Sequence, residues 1–316
     1  MIISKGQKII ITGGAGFIGS NFLNLMVPQY PNDIFINVDC LTYAGNLDNI
    51  TIKEAPNYRF YQVDIRDKDE LEKIFKTEAP TAIIHFAAES HVDQSIKNPN
   101  IFLETNVLGT GNLLALAKKY NLNRFHQIGT DEVYGALGPN DPPFTEQTPL
   151  SPRNPYSASK ASADLLVGAY HETFGLDTVI TRCGNNFGPR QDTTKVIPLF
   201  LTKLLKGDKV PLYGAGQQVR EWIYVDDHAR GIDLVFRQGQ SGEVYNIGAG
   251  NELSNLELTK KLLTATNRDE SFIEQVTDRL GHDFRYALDT TKIQALGWRA
   301  EVSFTDGLAQ TIEFFN

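Results

Sequence analysis

A chain of 316 residues is long enough for about two domains and for a sizeable core that needs neither disulfides nor a structural metal. Its 41% hydrophobic and 22% charged residues exclude general disorder, and 30 Lys+Arg against 38 Asp+Glu, a net charge of −8, exclude the basic face of a nucleic-acid binder. Two cysteines, Cys40 and Cys183, exclude a disulfide framework and a cysteine-rich zinc site, so no metal is expected. No apolar run reaches the length of a signal segment or a membrane span, so a soluble, cytoplasmic protein without a membrane partner is expected. In chain order, strands are predicted at residues 8–12, 34–39, 58–63, 81–87 and 124–129. Several are near-continuous apolar runs, which suit a parallel sheet covered on both faces. Helical patterns fill the gaps at 17–30, 67–77 and 100–119, and this alternation implies right-handed crossovers and a doubly wound α/β sheet of the Rossmann type. A further helix has Asn154 as its cap, Pro155 in its first turn and Gly175 after its end. A strand at 176–182 follows. Beyond it, Pro189, Pro198, Pro211, Gly214 and Gly216 break the chain into shorter pieces, with strands at 221–225 and 244–247 and helices at 253–264 and 305–315. The expected organisation is a Rossmann domain over 1–180 and a smaller mixed α/β domain over 181–316, with interleaved segments.

The first strand runs into Gly13-Gly14-Ala15-Gly16-Phe17-Ile18-Gly19. Gly13 allows the tight turn, Gly16 lets the backbone approach a pyrophosphate, and Gly19 lets the helix pack on the strand. Phe17 and Ile18 open that helix, whose free N–H groups and positive end would receive the phosphates. A glycine-rich turn after a strand often carries no ligand. Here the second strand ends in Asp39, 20 residues past Gly19, where a carboxylate can accept from both ribose hydroxyls and repel a 2′-phosphate. NAD is therefore expected over NADP. Asp64-Ile65 ends the next strand and suits either the adenine or, through its carboxylate, the start of the 64–67 turn.

Tyr156 and Lys160 stand at i, i+4 on one face of the helix opened by Pro155. A phenol with a pKa of about 10 is a poor base near neutrality. A neighbouring ammonium and a positively charged nicotinamide both favour phenolate. Alone, the Tyr/Lys spacing is a common helix-face pair; downstream of a dinucleotide loop it points to catalysis. Thr130-Asp131-Glu132 follows the fifth strand, at the carboxyl end where open parallel sheets bind ligands. Thr130 can hydrogen-bond a substrate oxygen beside Tyr156. Adjacent carboxylates in unlike surroundings can supply an acid and a base within one turn. In isolation the pair reads as a solvated loop.

Taken together, residues 13–19 with Tyr156 and Lys160 resemble the extended short-chain dehydrogenase/reductase superfamily that acts on nucleotide sugars. Within it, Thr130-Asp131-Glu132-Val133-Tyr134-Gly135 resembles the dTDP-glucose 4,6-dehydratases. The likeness continues through Ala87-Ala88-Glu89-Ser90-His91-Val92-Asp93, Thr105-Asn106-Val107-Leu108-Gly109-Thr110, Asn185-Asn186-Phe187-Gly188-Pro189 and 220–228. The resemblance implies an NAD-dependent lyase of deoxysugar biosynthesis. In it Tyr156 takes the 4-hydroxyl proton as C4 is oxidised, Glu132 removes the C5 proton and Asp131 protonates the C6 hydroxyl. Water then leaves and the hydride returns to C6. By the same resemblance, Ala87, Ala88, Thr105 and Asn186 join the cofactor side. Ser90 and Thr130 touch the sugar. Asn185, Lys195, Val196, Pro211, Tyr213, Arg220, Asn255, Arg279, His282 and Tyr286 hold the nucleotide, with Lys195, Arg220 and Arg279 facing its diphosphate. A homodimer through the helices at 100–119 and 155–174 is also implied. UDP-glucose 4,6-dehydratases, and UDP-sugar epimerases or decarboxylases, are rivals on the same fold. The last two would keep the Tyr/Lys pair without needing Asp131 beside Glu132. A non-catalytic NAD-binding scaffold would have no use for all four side chains.

Overall fold

The computed structural model describes residues 6–277 and 283–316. Its strands are β1 (Lys8–Thr12), β2 (Ile34–Val38), β3 (Tyr58–Tyr61), β4 (Ala82–His85), β5 (Arg124–Thr130), β6 (Thr178–Cys183), β7 (Asn185–Phe187), β8 (Val210–Tyr213), β9 (Val219–Tyr224), β10 (Val244–Ile247), β11 (Asn251–Ser254) and β12 (Ile273–Val276). Seven of them form one fully parallel sheet in the order β3-β2-β1-β4-β5-β6-β10. The helices are α1 (Phe17–Gln29), α2 (Lys68–Glu78), α3 (Val92–Lys97), α4 (Pro99–Phe102), α5 (Thr110–Lys119), α6 (Pro155–Phe174), α7 (Val196–Lys206), α8 (Val225–Gln238), α9 (Asn255–Ala265), α10 (Thr291–Ala295) and α11 (Phe304–Phe315). No helix among the described residues is long and apolar enough to cross a membrane.

The triple isoleucine of β1 shows why the strand reads as a continuous apolar run. Ile9 and Ile11 pack with Phe22, Leu23 and Met26 of α1 on one face, while Ile10 packs with Phe75, Leu113 and Leu116 on the other. Because successive strand side chains point to opposite faces, both faces must be covered by helices. The second half does not stay apart. β10 completes the large sheet beside β6, and Ala229, Ile232, Val235 and Phe236 of α8 join the α1 face of its core. The remaining segments form a three-stranded sheet, β11-β9-β7, and the pair β12-β8, around Phe187, Leu201, Trp222, Leu258 and Leu308.

The helix expected over 100–119 is interrupted. After α4 the backbone widens into a π-helical turn, Leu103–Gly109, before α5 begins. Asn106 explains the widening: its side chain bridges the backbone N–H and C=O of Glu89 and donates to Ser159 Oγ at 2.8 Å. The helix expected from 253 begins at Asn255, because Leu253 pairs with Arg220 in the antiparallel β11–β9 ladder and Ser254 caps the helix in a capping box with Glu257. Val225, expected to end a strand, instead starts α8. Helices α7 and α8 and the short strands β7, β8 and β12 are further elements that the sequence pattern did not yield.

Candidate active site

A cavity of about 700 Å³ opens at the carboxyl ends of the parallel strands, where strand order reverses between β1 and β4. This is the position at which doubly wound sheets bind ligands. The glycine loop forms its floor. Gly13 adopts φ +70, and a Cβ there would lie 2.6 Å from the Ala87 nitrogen; one on Gly19 would lie 2.4 Å from the Gly13 oxygen. At Gly16 a Cβ would meet nothing nearer than 3.3 Å, so packing alone does not demand glycine there. Gly16 starts α1 without a side-chain cap, which leaves the first-turn amides to the cavity that Gly16, Phe17 and Ile18 line.

Asp39 also lines this cavity, only 8% exposed, with its oxygens accepting from Ala15 N at 2.9 Å and Leu41 N at 2.8 Å. Burial raises its pKa and these amides oppose the rise. Each oxygen keeps acceptor capacity toward the cavity. Asp64 and Ile65 line the cavity too, but the Asp64 carboxylate is gripped by Arg66, with Nε at 3.0 Å and Nη2 at 2.7 Å, and it starts the turn to Asp67. Burial alone would raise the Asp64 pKa; the guanidinium outweighs it and lowers it. Ala87, Ala88 and, from the π turn, Thr105 complete this side. Asn186 is present as well, yet its amide is spent on Cys183 Sγ, Gly184 O and His228 Nδ1.

Helix α6 carries the Tyr/Lys pair from a well-fixed start. Asn154 Oδ1 accepts from Ser157 N at 2.9 Å in a reciprocal capping box, Pro155 follows, and Gly175 closes the helix at φ +67. Lys160 is 5% exposed and donates from Nζ to Ile128 O at 2.7 Å. Burial lowers its pKa, and Asp164, one turn on, opposes this. Asp164 is held in turn by Arg182 at 2.9 Å, so the buried ion pair ties α6 to β6. Tyr156 departs from expectation: burial, Glu132 and Cys183 raise its phenol well above its ordinary pKa, against a hydrogen bond with Thr130. The side chains alone therefore do not lower the phenol, because burial and the neighbouring acidic groups outweigh the Thr130 hydrogen bond.

The acid pair is no solvated loop. Asp131–Tyr134 is a 3₁₀ turn capped by Thr130, whose Oγ1 accepts from Glu132 N at 3.3 Å. Asp131 is 2% exposed; Thr130 donates to its Oδ1, and its buried Oδ2 has no partner among the described residues. Burial, Glu132 and Glu221 hold Asp131 well above the usual carboxylate range. Burial also raises Glu132, but Arg220, Asn154 and Lys195 oppose the rise. The two carboxyls thus sit in unlike fields: Arg220 acts on both, but only Glu132 has Lys195 as well, and Glu132 and Glu221 outweigh Arg220 at Asp131.

Ser90, Asn185, Lys195 and Val196 line the same cavity, and Lys195 Nζ donates to Ser90 O at 3.2 Å. Pro211, Tyr213, Arg220, Asn255 and Tyr286 do not line it. Arg220 lies over the Tyr286 ring at 4.3 Å and donates to Asp283 O, while Asn255 and its neighbour Leu256 donate to the loop that follows Pro211 and Tyr213. Arg279 and His282 fall outside the described residues. Sequence reasoning missed Tyr43, Arg66, Arg190 and Phe314 in the lining. Tyr43, Arg66 and Arg190 sit on loops without periodicity, though Arg190 directly follows the Gly188-Pro189 break, and Phe314 sits on the last turn of α11, where its helical pattern does not reveal that it reaches the cavity.

A switch-point cavity floored by this glycine loop and overhung by Tyr156 and Lys160 defines a Rossmann-type short-chain dehydrogenase/reductase. The chain belongs to the GDP-mannose 4,6 dehydratase family, whose model matches residues 10–311. It is 51% identical to the low-salt glycan biosynthesis protein Agl12 of Haloferax volcanii, over 98% of each chain. It is 48% identical to a dTDP-glucose 4,6-dehydratase of Streptomyces griseus, covering 98% of this chain and 94% of that one. Among solved structures, DesIV, the dTDP-glucose 4,6-dehydratase of Streptomyces venezuelae determined with NAD bound, superposes with a TM-score of 0.94 at 49% identity, covering 98% of this chain and 96% of that one.

Proposed function

We propose that this chain is a hydro-lyase that converts dTDP-glucose to the 4-keto-6-deoxy sugar and water with NAD. The observation that carries this reading is the unequal pair of a buried Asp131 and a half-buried Glu132, lining with Tyr156 one cavity continuous with the glycine loop. A scaffold or an epimerase has no use for two adjacent carboxyls there. The cofactor fits the residues present: the uncapped α1 amides suit its diphosphate, and Asp39 suits an adenosine ribose. Bound NAD supplies a hydride acceptor for C4 and the hydride donor for C6.

The chain's own groups manage the protons. Tyr156 takes the 4-hydroxyl proton, with Thr130 hydrogen-bonding its phenol. Because burial holds the phenol neutral, Tyr156 needs more positive charge in the cavity than the side chains supply before it takes this proton, and bound NAD in its oxidised form would add it. Oxidation at C4 makes the C5 proton acidic, and Glu132, steadied by Arg220 and Lys195, removes it. Asp131, kept protonated by burial and its acidic neighbours, donates to the C6 hydroxyl so that water leaves, and once C6 has its hydride Glu132 returns the proton to C5. Ser90 and Thr130 contact the sugar. Asn185, Lys195 and Val196 hold the nucleotide where it leaves the cavity; Pro211, Tyr213, Arg220, Asn255 and Tyr286, which do not line that cavity, and Arg279 and His282 are assigned to the nucleotide by family resemblance.

The cofactor unit comprises residues 1–180 with α8 and β10 returned from the 181–316 half. Two copies associate through α5, α6 and the π turn, where Leu103, Leu108 and Leu165 are 50%, 63% and 65% exposed. Leu108→Glu should convert the dimer to monomers in sedimentation experiments; an unchanged mass would remove this face from assembly. The unpaired Cys40 and Cys183 suit the reducing cytoplasm. Incubation with dTDP-glucose and UDP-glucose, without added NADH, tests the activity. Mass spectrometry should show loss of one water, with dTDP-glucose preferred; unchanged sugar mass would refute it.

A further inference from the structure

The loop after β7 carries a cation that the chemistry described so far does not use. Arg190 adopts φ +69, a left-handed conformation uncommon for a residue with a side chain and usually over-determined by its surroundings. Its Nη1 donates to Asn21 Oδ1 at 3.0 Å, and Asn21, 4% exposed, donates from Nδ2 to Phe17 O at 2.9 Å and to Pro189 O at 3.0 Å. The guanidinium is thereby tethered to the first turn of α1, the helix whose uncapped N-terminus faces the cavity. From the opposite side the ring of Phe314, on the last turn of α11, lies 5.5 Å away, and both residues line the same cavity.

The other cations of the cavity are engaged. Arg66 pairs with Asp64 and Glu104, Lys160 is fixed on Ile128 O, and Lys195 reaches Ser90 O on the Glu132 side. Arg190 forms no ion pair among the described residues; Asp226 is within electrostatic reach but not within pairing distance. After the bond to Asn21, donors remain on Nη1, Nη2 and Nε. We infer that Arg190 is the side-chain anchor of the dinucleotide diphosphate, facing the α1 amides across the phosphates, with Asn21 and Phe314 as its positioning residues. This rests on the NAD reading above. The match is one of charge: helix amides supply about half a unit of positive charge, so a diphosphate held by them alone keeps most of its negative charge, and a guanidinium can donate to two of its oxygens at once.

The test uses the full chain freed of cofactor, with saturating dTDP to occupy the nucleotide-sugar side. ADP and adenosine, which differ only in the diphosphate, are titrated by calorimetry or displacement. In Arg190→Ala, ADP binding should weaken roughly ten- to hundredfold while adenosine binding is unchanged. Arg190→Lys should recover part of the loss, and the salt dependence of ADP binding should become shallower in the alanine variant. Unchanged ADP affinity would overturn the inference. An equal loss for ADP and adenosine would also overturn it, reducing Arg190 to a brace between α1 and α11. If the parental chain binds neither ADP nor NAD, the cofactor reading falls and this inference with it.

Discussion

At the scale of single residues, the site divides its labour through burial. Asp131 illustrates the consequence for stability. Its folded pKa is raised above the unfolded value, so the stability that it contributes is fully present below the unfolded pKa and is lost as pH rises through the folded one. Asp131→Asn should therefore gain in melting temperature over the parent increasingly as pH is raised from about 4 toward neutrality and beyond. Paired thermal melts across that range check this, and a difference independent of pH would contradict it. Tyr156→Phe should retain nucleotide binding and lose turnover by about 10²–10⁴-fold or more, measured as product formation at saturating substrate. Tyr156, Lys160, Asp131 and Glu132 were legible as residue types at telling spacings. What spacing did not show is the field around them. The unequal tuning of the acid pair depends on Glu221, Arg220, Lys195 and Asp283, which only tertiary folding brings near. The direction of the Tyr156 shift was missed for the same reason, since the burial that raises it, with Glu132 and Cys183, arises only when the chain folds.

At the scale of elements, local signals were most reliable where caps and glycines bounded them. α6 has its expected bounds because Asn154, Pro155 and Gly175 each perform a local backbone task. Asn154→Ala should cost about 1 kcal/mol of stability, read from the denaturation midpoint. It should also lower turnover, because the cap sets the entry of the helix that bears Tyr156. A variant with unchanged midpoint and activity would show that the cap is dispensable. Elements shaped by distant partners were the ones missed. The π turn is forced by Asn106 reaching Glu89 and Ser159, and β11 exists because Leu253 finds Arg220 across a ladder. Beneath the glycine loop, buried His85 links Thr12 at 2.6 Å and Thr110 at 3.0 Å, joining β1, β4 and α5. Burial and the nearby Lys160 push its pKa down to about 3, so this strut stays neutral at the pH at which the enzyme would work.

At the scale of the whole molecule, α/β alternation predicted the parallel sheet, while the return of α8 and β10 from the second half could not be placed by local pattern. That return matters, because it encloses β7, α7, β8 and β9 in the chain between β6 and β10, which pair side by side in the large sheet, while β11, α9 and β12 follow after it. The account then makes one central claim, that oxidation at C4 and elimination across C5 and C6 are run by separable groups in one cavity. Glu132→Gln separates them. On mixing the variant with dTDP-glucose in deuterated buffer, C4 oxidation should still appear as NADH absorbance, since Tyr156, Lys160 and Thr130 remain. Little water should be lost, and the C5 proton should not exchange with solvent. Dehydration and C5 exchange at the parental rate in this variant would contradict the account and leave Asp131 and Glu132 without the catalytic roles given to them.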